Sequence, residues 1–494
     1  MYRRLVDPKV SVCIVFVSAM FMSIMDSTVV NVALPALSKQ FNVPNTSIDA
    51  VIVGYLVSLA VVIPVSGWLG DHWGTRRVFL FSLALFCLAS ALCGLAQTLP
   101  MLVGFRVLQG IAGGALTPVG TTMLYRTFPP EERVSVSRIL NIPTVIAPAS
   151  GPVIGGFLVQ QLSWRWVFYI NVPIGIATLL FGIFFLREVH QEEKSAGRFD
   201  PAGFLLAGLG LALLMYALTE GPTYGWAALN ILVSGFVGLL LLALFVVVEL
   251  RVRAPMIDLH LFRDRLFRTT NLVTMFSSAG FLGLLFVAPL FLQEARGTSA
   301  LVSGLTTFPE AIGVIAATQI VASLYPRVGP RRLVAVGLIG VAIIISLFCF
   351  MGLDTNLWLM RGLMFLTGAG MAFTFIPTPA AAFATISPAD TGKASALYNA
   401  QRQLGAALGI AVVGTVLSIV GPVIVHAHTP AQPNLAAYHA AFLTSAALAL
   451  IAAVIALFIH DRDAVATMRR KGSPRNAAEI EKIAEAAPEV IVLE

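Results

Sequence analysis

A carboxylate in the middle of an apolar run is the first residue that demands an explanation. Asp26 stands in Met25-Asp26-Ser27-Thr28-Val29-Val30-Asn31-Val32-Ala33-Leu34-Pro35. Acids inside hydrocarbon are costly and usually face a water-filled cavity or a partner charge, marking an ion or substrate path. A later apolar run supplies an opposite charge, in Arg106-Val107-Leu108-Gln109-Gly110-Ile111-Ala112-Gly113-Gly114. Arginine keeps its proton and must be paired or hydrated, and Gln109 falls one helical turn along on the same face. A carboxyl held between a cation that favours its charge and an apolar medium that disfavours it can load and release a proton. The alternative is that Asp26 only ties one helix to its neighbour.

The second half of the chain has one acid inside an apolar run, Glu310, beside Pro309. It reads as a second candidate for proton coupling and as a group that would draw cations in a low dielectric. The alternative is that it reaches interfacial water at the outer end of its helix. Arg361 and Arg402 are its expected partners, and Arg402 lies between Gln401 and Gln403. With Asn31 and Gln109, these two arginines are the expected polar groups of a substrate cavity.

The elements that must position these residues are membrane spans. Of 494 residues, 57% are hydrophobic and 12% charged, which excludes an ordinary soluble enzyme. A span needs about 20 apolar residues. Fourteen segments qualify, from 10–34 to 438–459. The net charge of +7 has no polybasic stripe behind it, so nucleic acid is not an expected partner. Instead 26 of the 32 Lys and Arg fall in the termini and in the loops after even-numbered spans. Basic loops stay in the cytoplasm, so both termini are expected there, in a multi-pass protein of the cell inner (plasma) membrane.

Between the second and third spans runs a polar hinge, Gly67-Trp68-Leu69-Gly70-Asp71-His72-Trp73-Gly74-Thr75-Arg76-Arg77. Counting forward by 255 residues takes Gly74, Arg76 and Arg77 to Gly329, Arg331 and Arg332, Arg106 to Arg361, and Gly113 to Gly368. The chain therefore contains two related halves. Pro326 stands where Asp71 would recur. In the fifth span, Gly151 and Gly155 form a small-residue face for helix contact, Pro152 removes a backbone hydrogen bond, and Gly156 follows. Gly405 and Gly409 repeat the pair in the second half, one residue short of the 255 offset.

These motifs resemble those of the major facilitator superfamily. Gly67-x-Leu69-x-Asp71-x-x-Gly74-x-Arg76-Arg77 is similar to its loop signature and Gly151-Pro152-x-x-Gly155-Gly156 to its antiporter motif. The segments Asp26 to Pro35 and Trp164 to Gly175 are similar to those of fourteen-span EmrB/QacA-type drug:proton antiporters. The resemblance covers about Val10 to Ile459. It implies an all-α integral membrane protein with the major facilitator fold: two six-helix bundles plus an inserted two-helix hairpin. The expected parts are 1–186 (first bundle), 187–254 (linker and hairpin), 255–460 (second bundle) and 461–494 (cytoplasmic tail). In the family, the Asp matching Asp71 and the Arg residues matching Arg76 and Arg77 latch the cytoplasmic side, and the cavity opens by alternating access.

Nothing else in the chain offers competing chemistry. Cys13, Cys87, Cys93 and Cys349 have no paired spacing, and His426, His428 and His439 lack the acid or thiol company of a metal site. No phosphate-binding loop occurs. The expectation is a non-enzyme without cofactor or metal, a proton-coupled exporter of small lipophilic or amphiphilic compounds of the kind that confers antibiotic resistance. Its partners would be substrate, protons and the bilayer, with a periplasmic adaptor only for a Gram-negative source. A lipid flippase and an uptake symporter on the same fold are the alternatives. A lipid-handling enzyme would need a nucleophile or metal constellation that is not seen. The stretch from Pro255 to Phe267 is expected to lie along the membrane surface, and Arg475 to Ala487 to form a short helix.

Overall fold

The computed structural model describes residues 7–43, 45–188, 199–252, 255, 257–424 and 432–468. Fourteen long helices carry the fold: α1 (Pro8–Phe41), α2 (Ala50–Trp73), α3 (Thr75–Leu95), α4 (Leu99–Thr127), α5 (Arg133–Gln161), α6 (Asn171–Phe185), α7 (Pro201–Tyr224), α8 (Leu229–Glu249), α9 (Arg265–Leu290), α10 (Pro309–Val328), α11 (Pro330–Ser346), α12 (Leu357–Phe375), α13 (Thr391–Val420) and α14 (Leu435–Ala456). Among the described residues, thirteen helical segments are long and apolar enough to cross a membrane. The 29-residue α5 stands where the fifth span was expected. Large apolar side chains such as Phe81, Phe236 and Ile343 face outward, as a lipid-facing surface requires.

Local chemistry sets where the helices begin. Asp7, Thr98, Asp200 and Asp264 each accept a backbone N–H of the turn that follows, and Pro8, Pro100 and Pro201 sit in first turns where no donor is lost. The hinge glycines Gly74 and Gly329, 255 residues apart, have φ of 86° and 83°. Glycine adopts such angles without penalty, which explains why both halves keep it there. The turns also share a device not foreseen from sequence. The Glu188 carboxylate accepts the Arg76 N–H at 3.3 Å, and the Asp461 carboxylate accepts the Arg331 N–H at 2.9 Å. Each caps a helix start where an anion is favoured.

The two halves repeat their packing. In the first, α1 packs on α5 and α6, α2 on α4, and α3 on α4 and α6; eight helices further on, α9 packs on α13 and α14, α10 on α12, and α11 on α12 and α14. Close crossings rest on glycine. A Cβ on Gly405 or Gly409 would come within 2.2 or 2.0 Å of the Met275 or Ala279 carbonyl oxygen of α9, and one on Gly155 within 3.2 Å of the Val29 carbonyl oxygen of α1. Gly156 has open space around it. Gly409→Ala should therefore destabilise the purified protein by about 1–3 kcal/mol through overpacking, while Gly156→Ala should be neutral or slightly stabilising. Thermal unfolding of both variants checks this, and equal stability of the two would contradict the crossing geometry.

The α7–α8 pair is more than an appendage, because α7 also packs on α2 and on α13. Trp226 donates its indole N–H to Thr415 Oγ1 at 2.6 Å. The stretch after α8 differs from expectation. Ile257 is buried in the core of the first half rather than spread on a membrane surface, because Glu249 accepts its N–H at 2.5 Å and pulls the chain inward. The expected helix from 475 to 487, His426, His428 and most of the linker before α7 lie outside the described residues.

Candidate functional site

Five helices of the first half converge on Asp26, and every polar group in the cluster is buried. Arg106 of α4 forms an ion pair with Asp26 Oδ2. Gln109, three residues on, donates to Asp26 Oδ1 at 3.0 Å and accepts from Arg106 at 2.8 Å. Asn171, at the start of α6, donates to Asp26 Oδ1 at 2.8 Å and to Ser90 Oγ of α3 at 3.0 Å. Ser90 in turn donates to the Phe168 carbonyl at 2.9 Å. The Arg106 guanidinium also donates to the Val51 carbonyl of α2 at 3.3 Å. It lies 4.3 Å from the Tyr55 ring centroid and 5.8 Å from that of Phe168, within cation–π range.

A buried ion pair survives only when its remaining donors and acceptors are satisfied. Here Asp26 accepts from three side chains and Arg106 donates to three groups, so the charges are held in place. Asn171 and Ser90 are the members of this cluster that sequence reading did not single out, although Asn171 stood in the quoted Trp164 to Gly175 segment. Nothing in that spacing tells which helix its amide will face.

The other expected residues are dispersed. Glu310 is buried in the first turn of α10, its Oε1 without a hydrogen-bond partner. Among the described residues it makes no ion pair with Arg361 or Arg402. Arg361 lies 4.6 Å from the Trp358 ring centroid. Asn31 is exposed on α1. Only Arg402 of that set reaches the cavity of about 70 Å³ between the halves, which is also walled by Met20 of α1, Tyr125 of α4, Thr274 of α9, Thr374 near the end of α12 and Phe383 after the short helix Pro377–Ala382 that follows it. Neither Asp26 nor Glu310 lines it. This conformation therefore gives Glu310 no access to a cation bound there.

The halves meet tightly at one end. A Cβ on Gly67 of α2 would lie 2.7 Å from the Gly392 carbonyl of α13, which is why glycine is needed at that place. Asp71 pairs with Arg126 of α4 at 2.6 Å. A Cβ on Gly392 would come within 2.7 Å of its carboxylate, so Asp71 also sits against the first turn of α13. Ser395 donates to the Pro118 carbonyl at 2.7 Å, Tyr125 stacks on Phe383 with ring centroids 4.3 Å apart, and Arg133 donates to the Phe383 carbonyl. Arg76 turns instead to the Ile183 carbonyl of its own half at 2.9 Å, and Arg77 is exposed. This end is closed.

Paired repeats enclosing a cavity, with a buried charge cluster beside it, define a membrane transporter built on parallel repeats. The family model of the Major Facilitator Superfamily matches residues 16–410 and again 270–490, and the chain belongs to that family. It is 33% identical over 410 residues to the Multidrug resistance protein B homolog of Mycobacterium tuberculosis, covering 82% of this chain and 75% of that protein. Its fold is similar to that of the human organic anion transporter MFSD10 (TM-score 0.65, 16% identity, 91% of this chain and 100% of that one). It is also similar to the proton:xylose symporter XylE (TM-score 0.61, 14% identity, 90% and 94%). At such identities the two structural likenesses concern the fold alone.

Proposed function

We propose that this protein is a proton-driven antiporter of the fourteen-span drug-export type, which expels small lipophilic or amphiphilic compounds across the plasma membrane by alternating access. The observation that carries this reading is the Asp26 cluster: one titratable acid, fully buried, bound to a fixed cation on α4 and to an amide on α6. The name of its mycobacterial relative supports a multidrug range. Both termini lie in the cytoplasm on the count of basic loops, and the closed end with Asp71 then faces the cytoplasm. The proton gradient is the energy source, since moving one charge across 100 mV is worth about 2.3 kcal/mol.

Asp26 does not line the cavity, so proton and substrate do not compete for one group. Helix α1 joins the two places: Met20, a cavity residue, precedes Asp26 by six residues, about 9 Å along a helix. Protonation that loosens Asp26 from Arg106 and Asn171 lets α1 shift against α4 and α6, and that shift reaches the cavity wall and the closed end. Transport of a dye panel into inverted vesicles, with and without an imposed pH gradient, tests the reading. Accumulation should depend on the gradient, and indifference to it would overturn proton drive.

The latch at Asp71 has its own expected result. Its contact with the first turn of α13 holds the closed end, the helix-terminus contribution being about 0.3–1 kcal/mol, while Arg126 of its own half fixes the carboxylate in place. Asp71→Asn should shift the balance toward the open end and slow transport several-fold while the protein still reaches the membrane. Cysteine labelling at position 395 should rise. Unchanged transport and labelling would reduce the loop to a topology signal.

A further inference from the structure

We propose that Arg402, Thr374 and Thr378 form a binding site for the anionic group of the transported molecule, which makes the favoured substrates organic anions with a small aromatic body. The inference rests on reading the central cavity as the substrate path and adds the substrate's charge.

Arg402 differs from Arg106, the buried arginine of the first half. Arg106 pairs with Asp26 and donates to Gln109 and the Val51 carbonyl; Arg402 lines the cavity half-buried, with neither an ion pair nor a hydrogen bond among the described residues. No acidic side chain lines the cavity. A guanidinium cannot shed its proton, so in a cavity without an acidic side chain its charge calls for a counter-ion brought from outside.

Two hydroxyls supply independent evidence. Threonines in helices usually donate back to a carbonyl one turn earlier, as the cavity residues Thr121 and Thr274 do at 2.7 and 2.9 Å. Thr374 and Thr378 do not. Both line the cavity, are 1% and 2% exposed, and keep a hydroxyl with no hydrogen-bond partner. Unmet buried donors are uncommon and call for an explanation. An anion accepts from both hydroxyls and from Arg402 together. A cation would be repelled by Arg402, and a neutral amide would leave its charge unpaired.

The rest of the wall fits the body of such a molecule. Tyr125 and Phe383 lie face to face, and Tyr398 is tilted against Phe383 with centroids 5.7 Å apart, which offers planar surfaces for a ring. The present volume of about 70 Å³ is small beside ligand pockets of roughly 300–1,000 Å³. The closed conformation thus admits little more than the charged group, and a larger molecule requires the halves to part. With one proton entering per anion leaving, two positive charges move inward per cycle, so membrane potential and pH gradient both drive export.

The test uses three probes of similar size and different charge: p-toluenesulfonate, which stays ionised at every working pH, p-toluenesulfonamide and trimethyl(phenyl)ammonium. Binding to the purified full chain is measured by scintillation proximity with tritiated sulfonate and competition by the others. The parent should prefer the sulfonate by roughly tenfold or more, the scale of losing hydrogen bonds to a charged group. Arg402→Gln should abolish the preference, Arg402→Lys should restore part of it, and Thr374→Val with Thr378→Val should reduce it. Amide or ammonium binding as tight as the sulfonate in the parent, or a sulfonate preference that persists in Arg402→Gln, overturns the proposal. Inverted vesicles separate the two readings. If the preference depends on Arg402 but no probe accumulates under a pH gradient, the anion site stands and proton-driven export falls. If the ammonium accumulates and the sulfonate is not preferred, export stands and the anion site falls.

Discussion

Asp26→Asn is expected to abolish the response of transport to a pH gradient while leaving downhill movement of substrate. The substitution keeps the size of the side chain and removes its titration. Because Asp26 lies outside the cavity, substrate binding should persist, and this separates loss of coupling from loss of the site. Asp26→Glu keeps a titratable group but adds a methylene, moving the carboxyl by about 1.5 Å in a cluster where Gln109 and Asn171 already donate at 3.0 and 2.8 Å. It should retain part of the activity with a shifted pH profile. The check is uptake into inverted vesicles at matched expression, with the gradient imposed and then collapsed. A gradient response in the Asn variant equal to the parent's would make Asp26 a structural residue.

The second large effect concerns stability. Asp26 and Arg106 are both buried, and removing one partner leaves the other charged and unpaired, at a cost of about 3–5 kcal/mol. Asp26→Ala and Arg106→Met should each lower the thermal stability of the purified protein sharply. The double variant should be more stable than the sum of the two losses predicts, by about 0.5–3 kcal/mol, because residues in one network couple, and it should still fail to respond to a proton gradient. Thermal unfolding of the four proteins closes this cycle. Additive losses would mean that the pair does not interact as its geometry states, and gradient-driven transport by the double variant would remove the pair from the mechanism.

Much of this was legible along the chain, for reasons that differ by residue. Gly74 and Gly329 stand out because a positive φ at a tight turn admits few alternatives, so both halves hold the same residue at the same offset. Asp26 and Arg106 could be paired in advance because two opposite charges inside apolar runs of one half have few other places to go. Asn171 could not, since an amide is tolerated at many helix positions and only the packing of α6 on α1 aims it. Glu310 shows the opposite limit: acids inside spans tend to find partners, but among the described residues this one forms no ion pair with Arg361 or Arg402, and sequence spacing alone does not tell which arginine an acid will meet. The unsatisfied hydroxyls of Thr374 and Thr378 have no signature along the chain, because a threonine bonded to its own helix and one left open are written with the same letter. The Glu188 and Asp461 caps escaped for a related reason, each carboxylate lying far in sequence from the turn it closes.

The most direct test of the account is proton release from purified protein on adding substrate, followed in weakly buffered solution with a pH-sensitive dye. If substrate binding favours the state in which Asp26 is held by Arg106, Gln109 and Asn171, substrate should expel protons from the parent protein. Asp26→Asn should bind substrate and release none. Equal release from parent and Asp26→Asn would contradict the assignment and move the proton carrier to Glu310.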